Sequence, residues 1–296
     1  MIDFITATDF TQCQRLFHGR GHAYENLTHI NVDWLSPVIL ITLYEEVERS
    51  WLLMQAQLLQ QRIAACRSVQ VQYRCRKMAP TEVLLGEEIQ QTQVLEQGLK
   101  YHIELGKAQN TGLFLDMRNG REWVLKQANN KKVLNLFAYT CAFSVVAIAG
   151  GATQVANFDM SKASLAKGRD NHRLNQQDTN KVIFEGVDIF KSNSRIKKHG
   201  CYDLIICDPP SFQKGSVNIE RDYAKLIRRI PQWANDQADI MLCLNSPDLD
   251  TQFLLDNVAE HCPQCEFQQL LAPPAVFKEA HQGKGLKVLL FRYYGK

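Results

Sequence analysis

No apolar run in this 296-residue chain is long enough to cross a membrane. The opening Met1-Ile2-Asp3-Phe4 is not a basic stretch leading into an apolar one, so no signal peptide is expected and a cytoplasmic location is. Neither sign of charge dominates. Thirty-four Lys and Arg against thirty-one Asp and Glu leave +3, a balance that neither demands nor excludes a nucleic-acid partner. A disulfide framework is also missing: the nine cysteines are scattered, several inside apolar runs, as buried thiols in a reducing compartment would be. Cys262-Pro263-Gln264-Cys265 has redox or metal-ligand spacing but no companion Cys/His cluster, so no metal site is expected.

What is present is a change of rhythm near residue 108. The first part, 1–108, reads as a small α/β domain. Residues 38–44 form a strand-like run and 45–65 have helical periodicity, with Val47, Trp51, Met54, Leu58 and Leu59 near one face. Residues 69–76 alternate as a half-buried strand, and a hairpin follows to about 105. From 109 to 296, strands at 133–137, 154–158, 182–184, 201–207 and 240–244 alternate with helices at 141–149, 161–175, 223–234 and 249–260. Ser161 is a plausible helix cap, and Pro231 should break the 223–234 helix. Strands at 266–271 and 286–293 follow without a helix between them, which predicts an antiparallel edge hairpin on an otherwise parallel sheet.

The most informative segment is Asp208-Pro209-Pro210-Ser211-Phe212, behind the apolar Leu204-Ile205-Ile206-Cys207. Proline cannot donate to a sheet, so the strand stops there, in the region where open α/β sheets bind ligands. Asp208 can accept a hydrogen bond and Phe212 can stack on something flat. A stiff exit from a strand is the plainer alternative.

Asp159 ends the second strand of this region, about 20 residues past the first turn, where nucleotide folds bind ribose hydroxyls. Asp188 follows the third strand and can meet an adenine edge; capping is the alternative for either carboxylate. The first turn, Phe137-Ala138-Tyr139-Thr140-Cys141-Ala142-Phe143, has no Gly-x-Gly-x-x-Gly. A pyrophosphate needs the close backbone approach that glycine permits, which argues against NAD or FAD. A cofactor with adenosine and no phosphates fits better, and S-adenosylmethionine is one. Upstream, 110–121 reads Asn-Thr-Gly-Leu-Phe-Leu-Asp-Met-Arg-Asn-Gly-Arg, in which Arg118 could pair with a carboxylate of the cofactor or with Asp116.

Through 112–121, 133–143, 157–175 and 201–212 the chain resembles the class I S-adenosylmethionine-dependent methyltransferases. More narrowly it is similar to the bacterial 23S rRNA cytosine-C5/guanine-N7 methyltransferases. The resemblance implies a Rossmann-like seven-stranded sheet with the antiparallel C-terminal hairpin. It implies that Asp116 and Arg118 lie in a turn that helps hold the cofactor, and that Phe137, Tyr139 and Thr140 form the first cofactor loop. Asp159 would take the ribose, with Met160 and Ser161 beside it, and Asp188 the adenine amino group. Asp208, Pro209, Pro210 and Phe212 would face both cofactor and target base. The family's usual glycines after the Tyr-Thr pair are Cys141 and Ala142 here.

Cytosine C5 methylation ordinarily needs a thiolate added at C6. The cytosine enzymes resembled here carry that cysteine after strand five, where this chain has Asn245, with Cys243 two positions earlier. A nitrogen acceptor is therefore favoured over C5, since positioning its lone pair in line with the methyl group suffices. The leading expectation is methyl transfer to an RNA base, in 23S rRNA. A protein or small-molecule methyltransferase and a non-catalytic RNA-binding member of the fold are the alternatives. The chain could act as a monomer or a homodimer.

Two further features await placement. Phe17-His18-Gly19-Arg20-Gly21-His22-Ala23-Tyr24 reads as a glycine-loosened loop, able to clamp phosphate, complete a pocket, or simply lie on the surface. Basic clusters at Arg62, Arg67, Arg74, Arg76 and Lys77, at Lys191, Arg195, Lys197 and Lys198, and at Arg221, Lys225, Arg228 and Arg229 could track phosphate.

Overall fold

The structure, a computed structural model, describes all residues except 211, 214–216, 282 and 296, and not the side chains of Phe212, Gln213 and Val217. Contacts divide it into two compact units, one of 1–118 with 274–282, the other of 119–273 with 283–296.

In the first unit, strands β1 (Gln14–His18), β2 (Ile30–Leu35), β3 (Val38–Leu43), β4 (Ser68–Tyr73) and β5 (Thr81–Gly86) form a sheet in that order. Helix α1 (Arg49–Arg62) makes the crossover between the parallel pair β3 and β4. A hairpin of β6 (Gln91–Glu96) and β7 (Leu99–Glu104) follows. β3 reads Val-Ile-Leu-Ile-Thr-Leu and is buried at every position, the pattern of a strand covered on both faces.

β4 corrects an expectation. Its Val/Gln alternation suggests a half-buried strand, yet all six residues are buried. The polar face is covered, and its amides are satisfied there. Gln70 donates to the Ile89 carbonyl at 2.8 Å and Gln72 to that of Ala108 at 3.2 Å. The face of α1 differs as well. Leu52, Gln55, Ala56 and Leu59 are buried, while Met54 and Leu58 are exposed. Apolar residues lie around much of this helix, so periodicity alone did not pick the buried side.

The second unit begins with α2 (Arg118–Gln127), whose first residue belongs to the first unit. It continues through β8 (Lys132–Leu136), α3 (Ala142–Ala149), β9 (Gln154–Asp159), α4 (Lys162–Leu174), β10 (Val182–Gly186), α5 (Asn193–Lys198) and β11 (Tyr202–Cys207). After the short pair β12 (Phe212–Gln213) and β13 (Val217–Asn218) come α6 (Ile219–Ile227), α7 (Ile230–Trp233) and β14 (Ala234–Leu244). α8 (Thr251–His261), β15 (Cys265–Leu271) and β16 (Lys287–Tyr293) close the chain.

The sheet order is β10-β9-β8-β11-β14-β16-β15. The first five strands are parallel, and β16 runs antiparallel to both β14 and β15, as the helix-free connection predicts. The order reverses between β8 and β11, the switch point at which such sheets open a crevice beyond their carboxyl ends. α3 and α4 pack against β8, β9 and β10, while α7 and α8 pack against β14.

The 223–234 helix is interrupted next to Pro231 as expected: α6 ends at Ile227 and a separate short α7 holds the proline, while α6 starts earlier than expected, at Ile219. Asn218 caps α6 through its side chain, and Pro231 sits in the first turn of α7, which has no use for its missing N–H. β14 begins at Ala234, earlier than expected, through an irregularity in which Gln237 has φ 61°.

Candidate active site

The sheet register aligns the predicted residues of the second unit. Leu136 pairs with both Phe158 and Cys207, and Cys207 with Leu242. Phe137, Asp159 and Asp208 therefore leave three adjacent strands at one level, and Asn245 follows β14 beside Asp208's strand.

The loop after β8 is the most strained part of this edge. Phe137, Tyr139 and Cys141 have φ of 59°, 48° and 61°. Left-handed non-glycine residues cost about 1–3 kcal/mol each, so such a loop persists only when held. Three contacts hold it. Ala138 donates its amide to the Phe158 carbonyl at 3.1 Å, and Tyr139 its amide to Asp159 Oδ2 at 2.9 Å. Cys141 is fully buried, its sulfur lying where a Cβ on Gly168 of α4 would come within 2.4 Å. Only glycine at 168 leaves room for that sulfur. Burial also pushes the Cys141 thiol up, so it stays protonated. Three non-glycine residues, Cys141 among them, thus adopt the backbone that glycine would supply cheaply.

Asp159 accepts from Ser161 N through its other oxygen at 2.7 Å. Each carboxylate oxygen has two lone pairs, so bonds to two amides leave acceptor capacity for hydroxyls. Met160 beside it is 49% exposed, an apolar surface next to an acceptor. Ser161 caps α4 as expected, its hydroxyl accepting from Ser164 N at 3.1 Å. Asp188 accepts from Phe190 N at 2.9 Å, capping the turn Ile189–Lys191, and lies 3.4 Å from Lys191. The Phe190 ring is 6.2 Å from that of Phe137. Thr140 is buried, and its carbonyl accepts from Asn171 at 3.0 Å.

Asp208 and Pro210 are partly buried, Pro209 is buried and Asn245 is exposed. Ser211 and the Phe212 side chain lie outside the described residues, so the stacking assigned to Phe212 has no structural description. Sequence reading missed the residue that joins this edge together. Tyr223, buried on α6, directs its hydroxyl between the carbonyls of Cys243 at 2.9 Å and Cys207 at 3.3 Å. Burial pushes its phenol well up, so the hydroxyl keeps the proton it donates. Lys287 was missed too. Buried on β16, it donates to the carbonyls of Ser246 and Leu249, fixing the loop after Asn245. A lysine inside the apolar run Leu286–Leu290 was its signal in the sequence.

Behind the loop runs a buried polar chain, also unforeseen. Asn135 donates to Asn157 at 2.8 Å, and Asn157 to the Ser144 hydroxyl at 3.0 Å. Ser144 and His172 Nε2 are 2.9 Å apart, and His172 Nδ1 lies 2.6 Å from Gln177 Oε1. The Gln177 amide nitrogen donates to Val145 O, so its oxygen faces the ring. His172 therefore carries its proton on Nδ1 and accepts from Ser144. Burial lowers its pKa to about 4.

In the first unit, Asp116 lies in the turn Leu115–Met117, and Arg118 follows it, donating to Gln12 Oε1 at 2.8 Å. Arg118, Leu115, Arg15, Leu16, Pro274 and Phe277 are among the residues lining a cavity of about 230 Å³. The Arg15 guanidinium pairs with Asp33, sits 4.9 Å from the Phe277 ring centroid, and donates to His18 Nδ1 at 2.7 Å. His18 Nε2 lies 3.4 Å from Glu279. Burial and the nearby Arg15 and Arg20 lower the His18 pKa to about 3, so the ring is neutral. The glycines of this segment are buried. A Cβ on Gly19 would meet the Leu27 carbonyl at 1.9 Å, and one on Gly21 the Lys278 carbonyl at 1.9 Å. They serve close backbone packing, not looseness.

Many members of the basic clusters are committed. Arg67 pairs with Glu87, Arg76 with Glu46, Arg195 with Glu185, and Arg221 and Lys225 with Asp222. Among the described residues no group of three or more His, Cys, Asp or Glu could hold a metal, and no helix is long and apolar enough to cross a membrane.

The family model described as S-adenosylmethionine-dependent methyltransferase matches residues 14–292. The chain belongs to that family. Its cofactor is S-adenosylmethionine, and the loop geometry suits it: a backbone-lined turn, an acid with spare acceptor capacity and an apolar surface. A Streptococcus mutans protein described as a methyltransferase of this family aligns with a TM-score of 0.85 at 26% identity, covering 96% of this chain and 76% of that one. A similar structure, complexed with SAH, aligns at 0.86 with the same identity and coverage. Among curated proteins, the ribosomal RNA large subunit methyltransferase I of Aliivibrio fischeri (strain ES114) is 38% identical over 134 residues, 45% of this chain and 34% of that protein. The chain thus matches about a third of the length of such relatives.

Proposed function

We propose that the chain transfers a methyl group from S-adenosylmethionine to a nitrogen of an RNA base, in large-subunit ribosomal RNA. The name of the Aliivibrio relative supports the RNA class. The observation that carries the choice of nitrogen is the state of the thiols at the site edge. Cys243 lies inside β14, fully buried, and Cys207 ends β11 at 2% exposure, its thiol pushed up by burial. From inside their strands neither sulfur can be reached by a ring the size of cytosine, and Asn245 occupies the loop where such a thiol would stand.

In this reading 109–296 carries out the transfer and 1–108 contacts the RNA. Asp116 and Arg118 hold the amino-acid end of the cofactor, and Phe137, Tyr139 and Thr140 line its path. Asp159 takes the ribose hydroxyls beside Met160 and Ser161, and Asp188 the adenine amino group. The bound cofactor supplies an electrophilic methyl on a sulfonium. Pro209 and Pro210 keep the chain extended at the strand end, so that Asp208 can accept a hydrogen from an exocyclic amine. Asn245 reads the base edge and Phe212 stacks on the base. Orientation then carries most of the rate, because the lone pair needs only to lie in line with the methyl group.

The test is transfer of labelled methyl from S-adenosylmethionine to total RNA of cells lacking this gene. Label in RNA, lost in Asp208→Ala while cofactor binding persists, is expected. Tight cofactor binding with label only in protein or small molecules would replace the RNA reading.

A further inference from the structure

Cys262 follows α8 and Cys265 begins β15. The Cys265 amide donates to the Cys262 carbonyl at 2.9 Å, which closes the four residues into a β-turn. Pro263 occupies the second position, where its fixed φ favours such a turn. A β-turn holds its end Cα atoms within about 7 Å. A disulfide needs about 4.4–6.8 Å, so the backbone is already within the range a bond would require.

The side chains complete the arrangement. The two sulfurs are 3.5 Å apart. A disulfide of about 2.05 Å asks only for side-chain rotation that brings the sulfurs together. Cys262 is 0% and Cys265 7% exposed, but Pro263 between them is exposed and Gln264 partly so. The pair thus lies beneath one surface turn. Its members are not equivalent. Cys262 accepts from the Cys265 thiol and from the amides of Cys265 and Gln264, which lowers its pKa against burial. The same thiol bond and burial push Cys265 up. Two thiols do not fill a tetrahedral metal site, and no third ligand joins them among the described residues.

We propose that Cys262 and Cys265 form an oxidation site that takes a hydroperoxide and closes to a reversible disulfide. The Cys262 thiolate attacks the peroxide oxygen, breaking the O–O bond and giving a sulfenic acid and hydroxide, which takes up a proton to become water. The Cys265 sulfur then attacks the Cys262 sulfur, and the sulfenic oxygen leaves as a second water with the Cys265 proton. Two thiols and one hydrogen peroxide give one disulfide and two waters, the thiols oxidised and the peroxide reduced. The bond staples the end of α8 to the start of β15. It lies at the opposite end of α8 from the loop that carries Asn245, and the proposal does not depend on the acceptor of the methyl group.

The experiment treats the folded full chain with hydrogen peroxide, removes the peroxide, then unfolds the chain in the presence of the alkylating reagent so that every remaining thiol is capped, and maps the peptides by mass spectrometry. The expected product is a 262–265 peptide lighter by two hydrogens, refractory to alkylation and restored by dithiothreitol, with a raised melting temperature. Cys265→Ser should instead trap a sulfenic acid on Cys262, detected with dimedone. Alkylated Cys262 and Cys265 after peroxide treatment that oxidises the exposed Cys75 and Cys201 would overturn the proposal. So would a disulfide that forms only after denaturation, a control on the unmodified chain that holds even if the variant fails to fold.

Discussion

Asp159 ties the two halves of the candidate cofactor edge together: one carboxylate oxygen accepts from Tyr139 N at 2.9 Å and the other from Ser161 N at 2.7 Å. An asparagine there must turn its NH₂ toward one of these donors. Bonds to charged groups are worth about 1.5–3 kcal/mol. Asp159→Asn should therefore weaken S-adenosylmethionine binding by about tenfold or more. Titration calorimetry checks this, and unchanged affinity would remove Asp159 from the cofactor site.

Gly168 and Cys141 form a packing pair that can be tested as a cycle. A Cβ at 168 would lie 2.4 Å from the Cys141 sulfur, so Gly168→Ala should cost about 1–3 kcal/mol by overpacking and disturb the loop. Cys141→Ala removes the nearest opposing atom, leaving the Cβ of residue 141 at 2.8 Å. Denaturant melts of the double variant should recover part of the loss, giving a coupling energy of about 0.5–3 kcal/mol. Strict additivity would show that the contact does not set the loop.

Tyr223→Phe removes the hydroxyl that joins the Cys207 and Cys243 carbonyls and keeps the ring. Stability should fall by about 1–2 kcal/mol, with two buried carbonyls losing a donor. Because Asp208 follows Cys207 directly and Asn245 lies two residues past Cys243, kcat should fall more than cofactor affinity does. Steady-state kinetics separate the two.

His172 predicts an acid limb of stability. Its pKa is about 4 when folded and about 6.5 when unfolded, so between these values the unfolded chain binds the extra proton. The neutral buried ring costs nothing in this respect above pH 6.5. As pH falls toward 4, the chain loses up to about 3 kcal/mol from this group. His18, lowered to about 3, acts in the same direction in the first unit. Urea melts across pH 4–7 should show His172→Gln with a shallower pH slope than the parent chain.

The alternating strands and helices of 109–296 made the parallel sheet legible, and the helix-free link before 286–293 gave the antiparallel edge. The carboxylates at strand ends were legible for the same reason, since strand ends are where such sheets bind ligands. Other features depended on long-range packing. The glutamines of β4 look solvent-facing until the segment that covers them is known. Gly168 gains its meaning only from a sulfur 27 positions earlier. Tyr223 is one aromatic among many until two strand ends meet beneath it. The glycines at 19 and 21 look like slack in the sequence alone, but Gly19 admits the Leu27 carbonyl and Gly21 that of Lys278.

The most direct measurement is nucleoside mass spectrometry of RNA from cells lacking this gene, after incubation with the purified chain and labelled S-adenosylmethionine. Label on a nitrogen of one nucleoside is the expected result. Label on C5 of cytidine would contradict the account, because it would require a thiolate where Cys207 and Cys243 are buried in the strands and the following loop carries Asn245.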